Sequence, residues 1–274
     1  MVNSAKRVLV FDSGVGGLSV FDAIAASGHA LELSYAADNA WLPYGLKSDA
    51  ELKARVPALL IAMVRHWVPD AVVVACNTAS TIALEDVRAA LSIPVVGVVP
   101  PIKPAAALTK TGTIGLLATP ATVRRAYTDD LIAQFAPDKT VVRFGSAALV
   151  EAAEQKLRGD VPDRSAITEA IEGLFGAPGG GDIDVVAVAC THFPLLAEEL
   201  SAASPRPATW LDSGAAIARR VVQVLSAETG VTRAQYVGFT DMEHAHGLAP
   251  ALRARGFEGV SRIGSSDFAL AAVD

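Results

Sequence analysis

Short runs of aliphatic and β-branched residues alternate along this chain with longer stretches in which apolar residues recur at helical spacing. The run at 71–75 consists of Val and Ala alone, as expected for a parallel strand that is buried on both faces. Strands that alternate with helices predict an α/β fold with largely parallel sheets and right-handed crossovers. The predicted strands are 8–11, 31–36, 71–75, 95–99, 114–117, 141–144 and 185–189.

Two of these strands repeat each other. The segments 70–76 (DAVVVAC) and 184–190 (DVVAVAC) are identical at five of seven positions, with an offset of 114 residues. A weaker match relates 11–14 (FDSG) to 211–214 (LDSG). The repeat predicts a duplication, with two similar α/β halves facing each other across a cleft. Ligands bind at the carboxyl ends of the strands in open α/β sheets, so we expect the site in that cleft.

Composition excludes several classes of protein. Half of the 274 residues are hydrophobic (51%) and 19% are charged, so the chain is globular rather than disordered. The net charge is −6 and no cluster of Lys and Arg stands out, which argues against a nucleic-acid partner. No uncharged apolar run reaches the ~18 residues of a membrane helix, and the first apolar run is too short for a signal peptide. We therefore expect a cytoplasmic protein with no membrane partner that acts on a small molecule.

The only two cysteines, Cys76 and Cys190, each end a buried strand just before a predicted helix. Backbone N–H groups and the helix dipole favour a thiolate there. The alternative is a pair of small buried side chains without a chemical role. No metal site is expected, because only His192 lies near a cysteine and the other histidines, His29, His66, His244 and His246, lack ligand spacing.

Two symmetrically placed thiols suggest proton transfer on opposite faces of one carbon. Moving the Cα proton of an amino acid between faces needs a base on one side and an acid on the other. The intermediate carries negative charge, so the site must supply hydrogen-bond donors. Candidate donors are the backbone turns around Gly14 and Gly45 and the side chains of Ser13, Asn77, Thr78, Thr119 and Thr191.

A series of motifs resembles the glutamate racemases of the cofactor-independent aspartate/glutamate racemase family. The motifs are FDSGVGGLSV (11–20), ADNAWLPYG (37–45), VVACNTAS (73–80), TKTGTIGLLATPAT (109–122), VACTHFPLL (188–196) and LDSGAAIA (211–218). The resemblance implies an isomerase that interconverts L- and D-glutamate without a cofactor and supplies D-glutamate for bacterial peptidoglycan. It also implies two pseudo-symmetric α/β domains, one formed by 1–97 with 212–274 and carrying Cys76, the other by 98–211 and carrying Cys190. A homodimer is left open.

The resemblance also implies roles for individual residues. Cys76 and Cys190 are the acid/base pair; Asp12 assists Cys76, while His192 and Glu151 assist Cys190. The substrate-binding residues implied are Asp12, Ser13, Pro43, Tyr44, Gly45, Asn77, Thr78, Thr119, Thr191 and His192.

The chain departs from the family pattern ahead of Glu151. Family members usually have a Cys-Pro-rich segment there, whereas this chain reads VVRFGSAALVE at 141–151. Glu151 also opens an amphipathic run that ends at Leu157. A solvated helix face is therefore as good an interpretation of Glu151 as assistance in catalysis.

Three other functions remain open. Gly14-x-Gly16 after a strand, with Asp38 22 residues beyond Gly16, imitates a dinucleotide-binding fingerprint, but Ser19 stands at the third glycine position. A racemase for aspartate or another acidic amino acid would share the same motifs. Some glutamate racemases bind DNA gyrase, but nothing in this sequence identifies a surface for that partner.

Overall fold

Parallel β-strands joined by helices make up most of the computed structural model, which describes residues 5–245, 247–264 and 270–272. The strands are β1 Lys6–Asp12, β2 Leu31–Ala37, β3 Ala71–Val74, β4 Val95–Gly97, β5 Thr113–Ala118, β6 Thr140–Gly145, β7 Val185–Ala189, β8 Thr209–Leu211, β9 Arg233–Phe239, β10 Gly259–Arg262 and β11 Leu270–Ala272. The helices are α1 Leu18–Ala25, α2 Asp49–Trp67, α3 Asn77–Ala90, α4 Ile102–Leu108, α5 Pro120–Val123, α6 Ala126–Phe135, α7 Ala148–Leu157, α8 Arg164–Phe175, α9 Ala197–Ala203, α10 Gly214–Leu225 and α11 Ala249–Arg253. Short 3-10 turns lie at Asn39–Trp41, Tyr44–Leu46, Gly180–Asp182, Phe193–Leu196 and Glu243–Ala245.

The first of two units combines the described residues up to Val98 with those from Gly214 onward. Its seven-stranded sheet has the order β11-β10-β9-β2-β1-β3-β4, and its strand pairs are parallel apart from β10 with β11. Strand β1 lies between β2 and β3, with Val10 opposite both Tyr35 and Val73. Because β1 is covered on both faces, its residues 8–11 are apolar and buried.

The second unit comprises residues 99–213. Its four-stranded sheet is entirely parallel, in the order β6-β5-β7-β8. One hydrophobic cluster joins the sheet to α7, α8 and α9, and a second joins it to α4 and α6. The expected α/β fold with two sets of parallel strands is thus confirmed.

The strand order agrees with the predicted repeat. The order β2-β1-β3-β4 in the first unit matches β6-β5-β7-β8 in the second, which makes β3 the counterpart of β7. The two repeat aspartates have related roles, since Asp70 accepts a hydrogen bond from the backbone of Arg7 (2.7 Å) and Asp184 from that of Lys110 (2.7 Å). The weaker match between FDSG (11–14) and LDSG (211–214) does not relate equivalent strands. The first segment lies at the end of the central strand β1, whereas the second lies at the end of the edge strand β8.

Side-chain caps encoded in the local sequence fix the starts of two helices. Ser48 and Glu51 form a reciprocal capping box at the start of α2. Asp163 accepts from the backbone N–H of Ser165 at the start of α8. The capping box fixes the start of α2 at Asp49, so Pro57 lies inside the helix. Among the described residues, no helix has the length and apolar character needed to cross a bilayer.

Candidate active site

Cys76 lies at the junction of a buried strand and a helix. It follows β3 and is the N-cap residue of α3, where its carbonyl accepts the first helical hydrogen bond, from Ser80. Its thiol is buried (6% exposed), and Ser13 Oγ lies 3.4 Å from the sulfur. The first-turn amides of α3 have no acceptor within the helix, and the helix dipole is positive at this end. Both effects favour the thiolate of Cys76.

Asp12 ends β1 and is completely buried. One carboxylate oxygen accepts from the backbone N–H of Ser13 (2.8 Å) and the other from that of Gly17. A Cβ at Gly17 would lie 2.7 Å from the Cβ of Asp12, closer than such atoms approach. The glycine turn therefore closes on Asp12 and fixes its carboxylate next to Ser13.

Asn77 and Thr78 open α3 and are both buried. The side-chain oxygen of Asn77 has no hydrogen-bond partner within the part of the chain that the structure describes. A buried acceptor without a donor is costly, by about 1–3 kcal/mol. An ammonium group of a ligand would satisfy this oxygen.

The Tyr44 hydroxyl is held by a neighbouring carboxylate, that of Asp38. The Tyr44 side chain is buried and its hydroxyl donates to Asp38 Oδ2 (2.7 Å). Burial and the neighbouring Asp38 carboxylate raise the pKa of Tyr44 above its usual value, so the phenol stays protonated. Pro43 is exposed, and Gly45 follows Tyr44 in the 3-10 turn. The Tyr44 hydroxyl and the backbone of this turn are thereby fixed in place.

Cys190 is buried at the end of β7 and has different neighbours from Cys76. The predicted helix after it begins as the 3-10 turn Phe193–Leu196 and continues directly as α9. His192 Nδ1 lies 4.0 Å from the sulfur, and Nε2 lies 3.1 Å from Glu154 Oε1. The Cys190 thiol thus has an imidazole beside it, whereas the Cys76 thiol has a serine hydroxyl.

The environment of His192 favours its protonated form. Burial disfavours the charge, but the contacts with Cys190 and Glu154 outweigh burial and hold the pKa of His192 well above its ordinary value. The protonated imidazole is therefore the favoured form of His192, and its Nδ1 faces the Cys190 sulfur.

The structure does not bring Glu151 to His192. Glu151 is exposed on α7, whereas Glu154, one helical turn further on, is buried and contacts both His192 and Arg158. Positions three residues apart differ by about 60° around a helix, which is enough for one side chain to face solvent and the other to face His192. The sequence pattern does not distinguish the two glutamates, because both lie in the amphipathic run. The small residues at 152 and 153, directly before Glu154, are the sequence feature that favours burial there.

The remaining predicted residues surround Cys190 in sequence or in the sheet. Thr191 is buried beside Cys190 in the chain. Thr119 follows β5 and caps α5, with its hydroxyl 2.9 Å from that of Thr122. The Thr119 hydroxyl is therefore already engaged in its own turn.

The described residues contain no group of three or more His, Cys, Asp or Glu side chains arranged to hold a metal ion. His246 and the side chain of His244 lie outside what the structure describes. The two cysteines are free thiols. Cys76 lies beside a serine and a helix N-terminus, whereas Cys190 lies beside an imidazole that is itself paired with a carboxylate.

Each of the two parallel α/β units thus carries a buried free thiol at the end of a strand. The family model described as Asp/Glu/hydantoin racemase matches residues 15–221, and the chain belongs to this family of racemases.

Individual relatives agree with this assignment. The glutamate racemase of Sphingopyxis alaskensis is 53% identical over 221 residues, covering 81% of this chain and 82% of the relative. That of Shewanella sp. strain ANA-3 is 45% identical and covers 94% and 97%. The crystal structure of Escherichia coli glutamate racemase with L-glutamate and the activator UDP-MurNAc-ala is 42% identical, with a TM-score of 0.88 and coverage of 98% and 100%.

Proposed function

We propose that this chain interconverts L- and D-glutamate without a cofactor, with Cys76 and Cys190 as the acid/base pair. One observation carries the proposal: the two units present a buried thiol at the end of equivalent strands, β3 and β7. The similarity to glutamate racemases supports glutamate as the substrate. In bacteria the D-glutamate made in this way supplies peptidoglycan synthesis.

The reaction is a proton transfer that requires both thiols to reach one Cα. The thiolate of one cysteine takes the Cα proton, and the electron pair left behind is delocalised into the α-carboxylate. The thiol of the other cysteine then gives its proton to the opposite face. Each turnover exchanges the protonation states of the two cysteines, so the reverse reaction uses the same groups in exchanged roles.

Each thiolate is stabilised in a different way. For Cys76 the stabilising groups are the N-terminal end of α3 and the Ser13 hydroxyl, whose oxygen lies 3.4 Å from the sulfur. For Cys190 the stabilising group is the His192 imidazolium, held by Glu154.

The substrate carries two carboxylates and one ammonium group, and its binding fits the polar groups of the site. The first-turn amides of α3 and the hydroxyls of Thr78 and Thr191 are donors for carboxylate oxygens. The unpartnered Asn77 oxygen is an acceptor for the ammonium group.

The decisive experiment follows L-glutamate in D2O by proton NMR while chirality is measured in parallel. We expect the Cα signal to disappear as D-glutamate forms, with no added cofactor. In the first turnovers the D-glutamate carries deuterium while the remaining L-glutamate does not, because separate groups remove and return the proton. Racemisation of aspartate but not of glutamate under the same conditions would show that aspartate, not glutamate, is the substrate.

Substituting each cysteine separately tests the roles. We expect Cys76→Ala and Cys190→Ala each to lose racemisation, by about a thousandfold or more, because a single base cannot serve both faces. Each variant should retain slow Cα exchange of one enantiomer, and the two variants should differ in which enantiomer exchanges. Near-normal racemisation by either folded variant would rule out the assignment.

A further inference from the structure

The loop between β2 and α2, residues 38–48, carries the Tyr44–Gly45 turn and begins at a buried carboxylate. Asp38 is fully buried and receives four side-chain hydrogen bonds. Arg55 donates Nε to Oδ2 (2.6 Å) and Nη2 to Oδ1 (2.8 Å). The Tyr44 hydroxyl donates to Oδ2 (2.7 Å) and the Thr240 hydroxyl to Oδ1 (2.9 Å). The two-pronged guanidinium contact supplies the positive charge that this buried carboxylate needs.

Arg55 contacts the loop at a second point. Its guanidinium lies 4.3 Å from the centre of the Trp41 ring, in a cation–π contact. Arg55 projects from α2, whose start is fixed by the Ser48–Glu51 capping box. One side chain on a well-anchored helix therefore holds both the beginning and the middle of the 38–48 loop.

The same network extends to the surroundings of Cys76. The backbone N–H of Asp38 donates to the carbonyl of Asp12 (2.9 Å). Tyr44 belongs to the same hydrophobic cluster as Cys76, and its turn packs against α3. Loss of the two hydrogen bonds from Arg55 would leave the Asp38 carboxylate with two fewer donors. The turn would then no longer be held beside α3.

We propose that Arg55 is a positioning residue for substrate binding, acting through Asp38 to hold the Tyr44–Gly45 turn beside Cys76. The inference depends on the proposed racemase function, because it assigns the turn to the substrate. Arg55 itself contacts no substrate. Changing Arg55 leaves the two thiols and the side chains that contact them in place. We therefore expect it to raise KM more than it lowers kcat.

The test compares the steady-state kinetics of Arg55→Met and Arg55→Lys with those of the wild type. We expect Arg55→Met to raise KM for glutamate by about tenfold or more while kcat changes by less than about threefold. Arg55→Lys keeps the positive charge but cannot make both hydrogen bonds to Asp38. Its KM should lie between those of the wild type and Arg55→Met.

The chain contains a matched control. Arg255 makes the same fork with Asp22, through Nε (2.8 Å) and Nη2 (2.7 Å), in the same unit but away from the 38–48 loop. Arg255→Met should lower stability and leave KM unchanged. If Arg55→Met changes KM no more than Arg255→Met does, the inference is wrong.

A second variant keeps the test decisive if Arg55→Met does not fold. Tyr44→Phe removes one donor to Asp38 and should raise KM by a few-fold with little loss of stability; an unchanged KM overturns the inference. A wild-type protein that does not racemise glutamate would refute the proposed function, whereas an active wild type with an unchanged KM in the variants would refute the role of Arg55 alone.

Discussion

At the scale of single residues, Gly17 controls the position of Asp12. Gly17→Ala would place a methyl group 2.7 Å from the Asp12 Cβ and displace the carboxylate. We expect kcat/KM for glutamate to fall by about 10- to 100-fold, as for an ångström-scale misplacement of a functional group. Gly181→Ala is the control, because a Cβ at Gly181 meets nothing within 4 Å. Equal activity of the two variants would contradict the role given to Gly17.

The two glutamates of α7 provide a second comparison at this scale. Glu154→Gln removes the carboxylate from His192, whereas Glu151→Gln changes an exposed side chain. We expect Glu154→Gln to lower kcat and to shift the limb of the pH profile that depends on protonated His192 to lower pH. Glu151→Gln should resemble the wild type in both. The opposite result would return Glu151 to the site.

The sign of the pH effect on stability follows from the raised pKa of His192. The folded state holds this proton more tightly than the unfolded state, whose histidine pKa is near ~6.5. The stabilisation is therefore complete below about pH 6.5 and is lost as pH rises through the folded value. Urea unfolding should show that Glu154→Gln costs roughly 1–3 kcal/mol at low pH and less at high pH.

At the scale of elements, the packing of α8 on β6 depends on a glycine. A Cβ at Gly173 would lie 2.1 Å from ring atoms of Phe144, so the helix and the strand would have to separate. We expect Gly173→Ala to destabilise the protein by roughly 1–3 kcal/mol, although alanine favours a helix. Urea unfolding beside Gly181→Ala measures this difference. A stabilised Gly173→Ala would show that Phe144 moves away without cost.

Elements that are buried on both faces were predictable from the sequence. Strand β7 was predicted with its observed bounds, because a continuous run of Val and Ala is typical of a central parallel strand. Strands β1 and β2 were predicted to within two residues at each end. Strands β8 to β11 were not predicted. Exposed and partly buried residues alternate along much of β9, and β8 is only three residues long, so neither resembles a buried run.

At the scale of the whole molecule, the two units differ in how the chain forms them. Residues 99–213 supply both hydrophobic clusters that pack on their own sheet. We expect this segment, expressed alone, to fold with a cooperative urea transition and to show no racemisation. A non-cooperative transition would mean that its stability depends on the rest of the chain.

The first unit cannot form from the N-terminal part alone. Strand β9, from the C-terminal part, pairs with β2, and α10 packs on α1. A chain ending at residue 213 would expose the edge of β2 and the apolar face of α1. That truncated protein should aggregate or unfold, as measured by light scattering and circular dichroism.

The sequence by itself determined the α/β class, the helix starts at Ser48 and Asp163, and the two thiols at strand ends. These features depend on local periodicity, capping and strand composition, which neighbouring residues encode. Only the tertiary structure decided that Glu154 rather than Glu151 meets His192, and that Asp38 joins Arg55, Tyr44 and Thr240. Except for Asp38 with Tyr44, those contacts join residues at least 17 positions apart. All of them depend on the rotation of a helix or the path of a loop, which packing sets.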